Sequence, residues 1–377
     1  MIKNKLSFFE KIKLIPITTV VLIGIIASIG FVLMYDAALG NFNVYARKQI
    51  VYFLLFLPVM LLIILIDLKW ILFISYYIYI IALAFLIAGS IIGHKAMGAV
   101  RWVDIGIFKF QPSEVMKIGI VLALARYFHG ISYDDSKKIR HLLLPLIMVA
   151  IPLGIVVKQP DLGTAIVIGI VAVVIFYLVG INMMKFFITG IATIAAMPII
   201  WNHLHDYQKK RILIFFNPES DPLGSGYNII QSKIAIGSGG FLGKGRLEAT
   251  QANLNFLPEH QTDFIFPLFA EEFGFLGALV LLVLFFILIV RVSYAGMNCR
   301  NLYGRLVVYG LISIFTSHVL INLGMVMGLL PVVGIPLPLL SSGGTSMGIM
   351  LIAFGIIMNI EINSREKIFI NKLGYFS

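Results

Sequence analysis

One carboxylate stands at the border between a polar and an apolar stretch of this sequence. Asp263 ends the polar run LPEHQTD, and a long apolar segment follows it. A carboxylate at such a border can act as a general base when it is partly desolvated and keeps an oxygen available for a proton. It can equally cap the N-terminus of a helix, where backbone amides bind it. The spacing leaves both functions open.

An acidic and a basic residue lie three positions apart at the start of another apolar segment. Glu114 and Lys117 follow Pro112 in the stretch QPSEVMK. Opposite charges at this spacing neutralise each other on a helix, and within a membrane they mark a buried ion pair or a wet cavity. For Glu114 the alternative is an ordinary helix start, which proline and an acidic residue in the first turn also favour. Lys117 lies deeper and fits that alternative less well.

Two further groups of polar residues border apolar segments. The loop KQPDLG places Lys158, Gln159 and Asp161 before a predicted helix, where the aspartate is either a helix cap or part of a polar ligand site. The basic run 209–211, which ends on Arg211, lies just beyond another apolar segment. Such a run faces lipid headgroups or binds an anionic phosphate group, and the sequence favours neither.

An apolar stretch near the C-terminus cannot form one continuous helix. It reads GLLPVVGIPLPLLSSGGTS and contains Pro331, Pro336 and Pro338 before two adjacent glycines. Proline removes backbone donors, and glycine permits unusual backbone angles. Non-helical backbone within a membrane is tolerated where protein buries it or where it lines a cavity. We therefore expect a re-entrant or broken segment beside the functional site, with a plain loop as the alternative.

The elements that must position these residues are membrane helices. Of the 377 residues, 60% are hydrophobic and 12% are charged, and the mean hydropathy is +0.99. Soluble proteins carry about 25% charged residues. We expect an all-α polytopic membrane protein, with a single integral membrane domain over residues 1–377 and a long loop at about 202–263 between helices 7 and 8. The ten predicted transmembrane helices lie at 15–34, 50–66, 71–91, 114–128, 142–157, 163–180, 183–201, 264–290, 306–327 and 345–360.

The composition also excludes other classes of protein. The single cysteine, Cys299, excludes an intramolecular disulfide and a metal cluster of the CxxC type. The net charge of +11 is spread over short loops and is not gathered on an aromatic-bearing domain. That distribution argues against a nucleic-acid partner and is typical of membrane orientation signals.

The distribution of basic residues predicts which way the helices run. An even number of helices puts both termini on one side. If that side is cytoplasmic, 16 Lys and Arg residues fall in cytoplasmic segments and 6 in the short loops opposite. This bias favours cytoplasmic termini. Only 6 of the 18 acidic residues then lie on the cytoplasmic side, so we expect the functional site and the long loop on the extracytoplasmic face.

Five stretches together resemble one family, the SEDS proteins (shape, elongation, division, sporulation). They follow one another in the family's order across almost the whole chain. Two of the motifs, PESDPLG and GIPLPL, are more similar to the elongation branch of the family than to the division branch. One departure is Ser342, which stands where an aromatic residue, usually Tyr, is expected. The matching stretches are GAVRWVDIGIFKFQPSEVMKI, KQPDLGTA, FFNPESDPLGSGYNIIQSKIAIGSGGFLGKG, FLPEHQTDFIFPLFAEEFG and MGLLPVVGIPLPLLSSGGTS.

The resemblance implies the SEDS fold and a peptidoglycan glycosyltransferase that polymerises lipid II during cell elongation and rod-shape maintenance. The enzyme would work on the outer face of the cytoplasmic (inner) membrane. Its implied partners are a class B penicillin-binding transpeptidase, other elongation-complex membrane proteins and the nascent glycan strand. Carried over by residue, the essential acid is Asp263, the outer-loop aromatic is Trp102, and the intramembrane pair is Glu114 and Lys117. The other candidate substrate-binding residues are Arg101, Lys158, Gln159, Asp161, Arg211, Gln231, Lys233, Glu259, His260 and Ser341.

A single base suffices for this chemistry, because a sugar on undecaprenyl diphosphate already carries a good leaving group. We expect Asp263 to deprotonate the 4-hydroxyl of the acceptor GlcNAc, which attacks the anomeric carbon of MurNAc with inversion. The diphosphate charge is met by Arg101, Lys117, Arg211 or a divalent cation such as Mg²⁺ or Mn²⁺, and the sequence does not select among them.

Two functions of other classes are alternatives to the transferase. A lipid II flippase would also suit ten helices with polar intramembrane residues, but it needs access from both faces. The charged motifs crowd one face instead. A non-catalytic scaffold for the transpeptidase would leave those motifs without a function.

Overall fold

Helices dominate the protein, whose computed structural model describes residues 7–92, 94–96, 99–104, 109–136, 138–203, 206–221, 224–250 and 261–364. Each predicted apolar window coincides with helical structure. In the described residues the helices are α1 (Phe8–Lys13), α2 (Ile17–Asp36), α3 (Ala46–Leu65), α4 (Leu68–Ile92), α5 (Pro112–His129), α6 (Tyr133–Ser136), α7 (Ile139–Lys158), α8 (Leu162–Leu178), α9 (Met183–Ala195), α10 (Met197–His203), α11 (Asp206–Phe216), α12 (Ser225–Ser238), α13 (Ile265–Asn298), α14 (Leu302–Val326) and α15 (Gly344–Ile362).

Seven helices in the described ranges are long and apolar enough to cross a membrane, namely α2, α3, α4, α7, α13, α14 and α15. Two shorter apolar helices, α8 and α9, and the charge-bearing α5 coincide with the three remaining predicted windows. The expected all-α polytopic membrane fold is confirmed.

The seventh predicted helix, 183–201, is two helices in the structure. α9 ends at Ala195 and α10 begins at Met197. Pro198 is the second residue of α10, and it has no N–H to donate to the carbonyl of Ile194. The hydropathy of this stretch is continuous, so the apolar window alone predicted one helix where proline produces two.

α14 and α15 lie at the centre of the bundle. They are the two most buried of the seven spans. α14 packs against α5, α8 and α13, and α15 packs against α3. Small residues allow these close approaches, since a side chain at Gly310 would meet Val121 and one at Gly348 would meet Phe56.

Three short strands follow α4. β1 (His94–Ala96), β2 (Ala99–Asp104) and β3 (Lys109–Phe110) form an antiparallel sheet in the order β1-β2-β3. Trp102 is paired with His94, and β2 lies next to α4 and α5. In the described residues, Arg101 and Trp102 therefore lie on the central strand of a small sheet.

The predicted long loop at about 202–263 is partly helical. It contains α11, a 3₁₀ turn at Pro218–Ser220, and α12. α12 lies against α13 and α14, and the Ser232 hydroxyl donates to the Val326 carbonyl at 2.7 Å. The loop thus packs onto the end of the bundle where α14 ends and α13 begins.

Candidate active site

Asp263 lies in a turn, residues 261–264, directly before α13. Its side chain is half-buried, and the residues from Phe264 to Glu272 are buried. The capping position of α13 is Phe264, and no side-chain hydrogen bond caps the helix. The structure therefore places Asp263 one residue before the capping position of α13.

The turn is held by the proline segment, which we define as residues 327–343 between α14 and α15. The Ser341 hydroxyl donates to the Thr262 carbonyl at 2.6 Å, and the Ser342 N–H donates to the Gln261 carbonyl at 2.8 Å. The segment consists of turns and irregular backbone, and many of its apolar residues are buried. The expected broken segment beside the site is confirmed. Ser342 makes its contact through the backbone, so this hydrogen bond does not need the aromatic side chain expected there.

Asn322 of α14 joins the same two pieces of chain. Its Nδ2 donates to the carbonyl of Asp263 at 2.8 Å and to the carbonyl of Ile335 at 2.7 Å. The side chain is fully buried. One amide therefore fixes the backbone of Asp263 to the proline segment.

Gly334 forms the surface beside the Asp263 carboxylate. A Cβ atom at this position would lie 3.4 Å from Asp263 Oδ2, and the backbone φ of Gly334 is +75°. Glycine adopts this left-handed conformation without strain and leaves room for the carboxylate. The backbone angle thus favours glycine at this position, and the Asp263 carboxylate lies within van der Waals range of a side chain placed there.

Gln49 of α3 braces the end of the proline segment. Its Nε2 donates to the Ser341 carbonyl at 2.9 Å, and its Oε1 accepts from the Gly343 N–H at 3.4 Å. Ser341 Oγ also accepts from the Leu337 N–H at 2.8 Å. Ser341, a predicted substrate-binding residue, is therefore fully engaged in holding the segment together.

The Glu114 and Lys117 pair is buried and has a third member. Lys117 Nζ donates to Glu114 Oε1 at 2.7 Å and lies 2.7 Å from His318 Nε2 of α14. Lys117 is 1% exposed and Glu114 is 4% exposed. The predicted ion pair is present, and α14 contributes a partner for its ammonium group.

The polar loop before α8 is mostly structural in its contacts. Asp161 is the N-cap of α8, where its carboxylate accepts from the Thr164 N–H at 3.3 Å and the Thr164 hydroxyl at 2.9 Å. Gln159 is buried and donates to the Leu86 carbonyl at 3.0 Å. Lys158 is exposed. The capping function considered for Asp161 is present, and Lys158 is the member of this loop that solvent reaches most easily.

Two predicted residues of the long loop lie on α12. Lys233 is exposed and its side chain crosses the face of Gly328, where a Cβ atom would lie 2.6 Å from Lys233 Nζ. Gln231 is half-buried on the same helix, and Arg211 is half-buried on α11. The structure thus brings Lys233 to the start of the proline segment.

Four predicted residues have no described side chain. Arg101 and Trp102 lie in β2, where the structure describes the backbone alone. Glu259 and His260 lie outside the described residues. Their proposed contacts with substrate stay predictions.

α13 is kinked at Gly274, where φ is +66° and ψ is −164°. The backbone of residues 240–245 supplies the hydrogen bonds that the kink removes from the helix. Phe275 N–H donates to the Gly240 carbonyl at 2.9 Å, and Lys244 N–H donates to the Glu271 carbonyl at 2.9 Å. These hydrogen bonds give partners to backbone groups that the kink would otherwise leave unpaired.

Side chains at the kink form a second charged cluster. Glu271 Oε1 accepts from Lys244 Nζ at 2.6 Å and from the Thr250 N–H at 2.9 Å. Arg246 donates to both oxygens of Asp36, at 2.8 and 3.0 Å. Hydrogen bonding to Asp36 raises the pKa of Arg246, which keeps the guanidinium charged. These pairs attach the loop before residue 250 to α2 and α13.

The described residues were compared with the pattern of a protein-held metal site. No group of three or more His, Cys, Asp or Glu side chains among them is arranged to hold a metal ion. The carboxylates of the kink already accept hydrogen bonds from Lys244 and Arg246. The divalent cation expected at the diphosphate stays a prediction.

Comparison with known proteins identifies the family. The family model of the FtsW/RodA/SpoVE cell cycle proteins matches residues 11–366. The chain belongs to this family. It is 43% identical over 290 residues to the peptidoglycan glycosyltransferase MrdB of Escherichia coli K12, a match that covers 77% of this chain and 78% of that one.

Solved structures share the fold. A chain of a peptidoglycan synthase complex that coordinates polymerization and crosslinking superposes with a TM-score of 0.83 at 28% identity, covering 94% of this chain and 99% of that chain. The rod shape determining protein RodA of Thermus thermophilus gives a TM-score of 0.71 at 26% identity, covering 94% and 98%. The family expected from the sequence motifs is thus confirmed.

Sequence reasoning missed three polar residues of the candidate site: Gln49, His318 and Asn322. Each is a buried polar residue within a long apolar helix. That isolation was a usable signal, because polar side chains in membrane helices usually have a specific partner. The sequence could not show which partner each one has.

Proposed function

We infer that this chain is a peptidoglycan glycosyltransferase that polymerises lipid II into glycan strands during cell elongation and rod-shape maintenance. The observation that carries the inference is the fixed turn at Asp263, a half-buried carboxylate whose backbone is tied to α14 and to the proline segment. Membership of the FtsW/RodA/SpoVE family supports it, as do curated relatives named peptidoglycan glycosyltransferases.

The proposed reaction is an inverting glycosyl transfer assisted by one base. Asp263 takes the proton of the GlcNAc 4-hydroxyl while that oxygen forms a bond to the anomeric carbon of MurNAc. The bond from that carbon to the diphosphate oxygen breaks, and undecaprenyl diphosphate leaves with the electron pair. A general base at a fixed position contributes about 100- to 10,000-fold to such a step.

Two features of the surroundings of Asp263 support its proposed function as a base. Its backbone is fixed by hydrogen bonds from Asn322 and through the neighbouring Thr262, and its side chain lies beside Gly334. Holding a base in place removes much of the entropic barrier to proton transfer. Partial burial lowers the local dielectric and strengthens interactions with the developing charge.

The leaving diphosphate needs positive charge. Lys117 is a candidate, although its ammonium is buried and already paired with Glu114. Arg101 and Arg211 are the other candidates, together with a divalent cation, Mg²⁺ or Mn²⁺. Each would stabilise the charge that develops on the leaving oxygen.

The proposal includes a location and a partner. Positive-inside bias favours cytoplasmic termini, which puts Asp263 on the extracytoplasmic face of the cytoplasmic membrane. A class B penicillin-binding transpeptidase would cross-link the strands that this chain makes. The similarity to a chain from a complex of polymerization and crosslinking supports such a partner.

The test uses purified full-length protein in proteoliposomes with fluorescent lipid II, with and without a class B transpeptidase. We expect glycan ladders on a gel from the wild type, none from Asp263→Ala, and wild-type ladders from Asp135→Ala. Asp135 is a suitable control because its side chain is 39% exposed and paired with Lys138, in a short helix away from the Asp263 turn. Movement of lipid II to the opposite leaflet without any ladder would contradict the transferase and support the flippase.

A further inference from the structure

Asn322 is a fully buried amide that no step of the proposed reaction uses. Its Nδ2 donates one hydrogen bond to the Asp263 carbonyl and one to the Ile335 carbonyl, at 2.8 and 2.7 Å. An amide nitrogen carries two hydrogens, so both are used. One is bound to the turn that carries the candidate base, and the other is bound to the proline segment.

This bridge acts on the Asp263 carboxylate from two directions. It holds the backbone of Asp263 itself, and it holds Ile335, the residue next to Gly334. Gly334 lies beside the Asp263 carboxylate, since a Cβ atom placed at Gly334 would lie 3.4 Å from Asp263 Oδ2. An aspartate has few rotamers, so fixing its backbone and the surface beside its carboxylate restricts where the oxygens can lie.

The amide oxygen of Asn322 indicates that packing alone does not explain an asparagine at this position. Asn322 Oδ1 is buried and has no hydrogen-bond partner among the described residues. A buried acceptor without a partner destabilises a fold, and such groups tend to occur where function requires them. An apolar residue of similar size would satisfy the packing of α14 without that cost.

We propose that Asn322 is a positioning residue that holds the Asp263 carboxylate in reach of the acceptor hydroxyl. The proposal rests on the proposed function of Asp263 as the base. A base must lie within hydrogen-bond distance of the proton that it removes. A displacement of about 1 Å lowers turnover by about 100-fold, whereas binding of the substrate by other residues is largely kept.

The test variant is Asn322→Leu, which removes both hydrogen bonds at similar volume. Its matched control is Asn359→Leu. Asn359 is also fully buried in an apolar helix, and its amide donates to the carbonyls of Ile63 and Ile64 at 2.8 and 3.1 Å, away from the Asp263 turn. Full-length variants with the transpeptidase are given fluorescent lipid II, and kcat and KM are measured from about pH 5 to 9 on protein shown to be folded.

We expect kcat of Asn322→Leu to fall about 10- to 100-fold while KM changes by less than about threefold. The acidic limb of its pH profile should also move, because that limb reports the base in its altered surroundings. Asn359→Leu should keep kcat, KM and the pH profile. Asn322→Ser retains one donor and serves as the second variant if Asn322→Leu does not fold, with kcat between the wild type and the leucine variant.

Two results overturn the proposal. One is an unchanged kcat and pH profile in folded Asn322→Leu or Asn322→Ser. The other is an equal loss of kcat in Asn322→Leu and Asn359→Leu with the wild-type pH profile, which shows a structural contribution alone. Asp263→Asn is measured in the same series, and full activity of that variant would remove the proposed base and not only its positioning residue.

Discussion

At the scale of single residues, the Lys117 ammonium group has two buried partners. It donates to Glu114 on its own helix and lies against His318 on α14. A buried ion pair adds little net stability, since desolvation of the two charges offsets their attraction. Removal of one partner has a large effect, because the remaining charge is then buried without compensation.

Lys117→Met should lower the free energy of unfolding by about 3–5 kcal/mol, since it leaves Glu114 charged and buried. The double variant Glu114→Gln with Lys117→Met should regain most of that loss. Thermal unfolding followed by size-exclusion chromatography measures both. Equal unfolding temperatures for the single and double variants would show that the Glu114 charge is not the cause.

The same scale shows why parts of the site could not be predicted. Asp263, Glu114 and Lys117 stood out because a charge in or beside an apolar run is visible locally. Asn322 is 59 positions from Asp263 in sequence, and only the fold shows that they meet. Gly334 is one of 34 glycines. Its place beside the Asp263 carboxylate depends on its positive φ angle, which the spacing of residues in the sequence does not predict.

At the scale of elements, the kink of α13 and residues 240–250 form one unit. Backbone groups of the loop replace the hydrogen bonds that Gly274 interrupts, and Lys244 adds an ion pair with Glu271. Glu271 is fully buried, whereas Lys244 is 28% exposed at its side chain. The position of the loop therefore depends on its ion pair with the buried carboxylate of Glu271.

Lys244→Met should destabilise the protein by about 2–3 kcal/mol, because it removes a charged hydrogen bond from a buried carboxylate. Backbone hydrogen exchange of residues 239–250 should accelerate with it. Lys210→Met is the matched control. Its partner is Asp221 in a pair whose lysine is 63% exposed, and such a pair contributes less than about 1 kcal/mol. Equal losses from the two variants would contradict the anchoring of the loop at the kink.

The helices themselves were largely predictable, because an apolar run is a local property and a membrane demands a minimum length. The 264–290 window found α13 but not its kink, since Gly274 lies in an otherwise apolar run and its angle is set by the loop packed against it. The 183–201 window missed the break before α10. Pro198 was the visible signal for that break, and hydropathy outweighed it.

At the scale of the whole molecule, the orientation of the chain in the membrane determines whether Asp263 faces the cytoplasm or the outside of the cell. The proposed reaction takes place outside the cytoplasm, so it requires the turn at 261–264 to face that side. Lys138, between α6 and α7, and Asn43, between α2 and α3, lie on opposite sides in the predicted orientation. Both are exposed.

Single cysteines at these positions test the orientation in a Cys299→Ala background. In whole cells, a membrane-impermeant maleimide should label Asn43→Cys and leave Lys138→Cys unlabelled until the cells are opened. Cys299 is buried, so its replacement by the smaller alanine removes background at little cost. The reverse labelling pattern would put Asp263 on the cytoplasmic side and contradict the proposed reaction there.

The most direct test of the account is the rate at which Asp263→Asn polymerises lipid II. Asparagine has nearly the same size as aspartate but cannot accept the proton as a carboxylate does. The account predicts a rate at least about 100-fold below the wild type, in a protein with the wild-type unfolding temperature and the wild-type affinity for lipid II. A rate within about threefold of the wild type, measured on the same gels, would show that Asp263 is not the base.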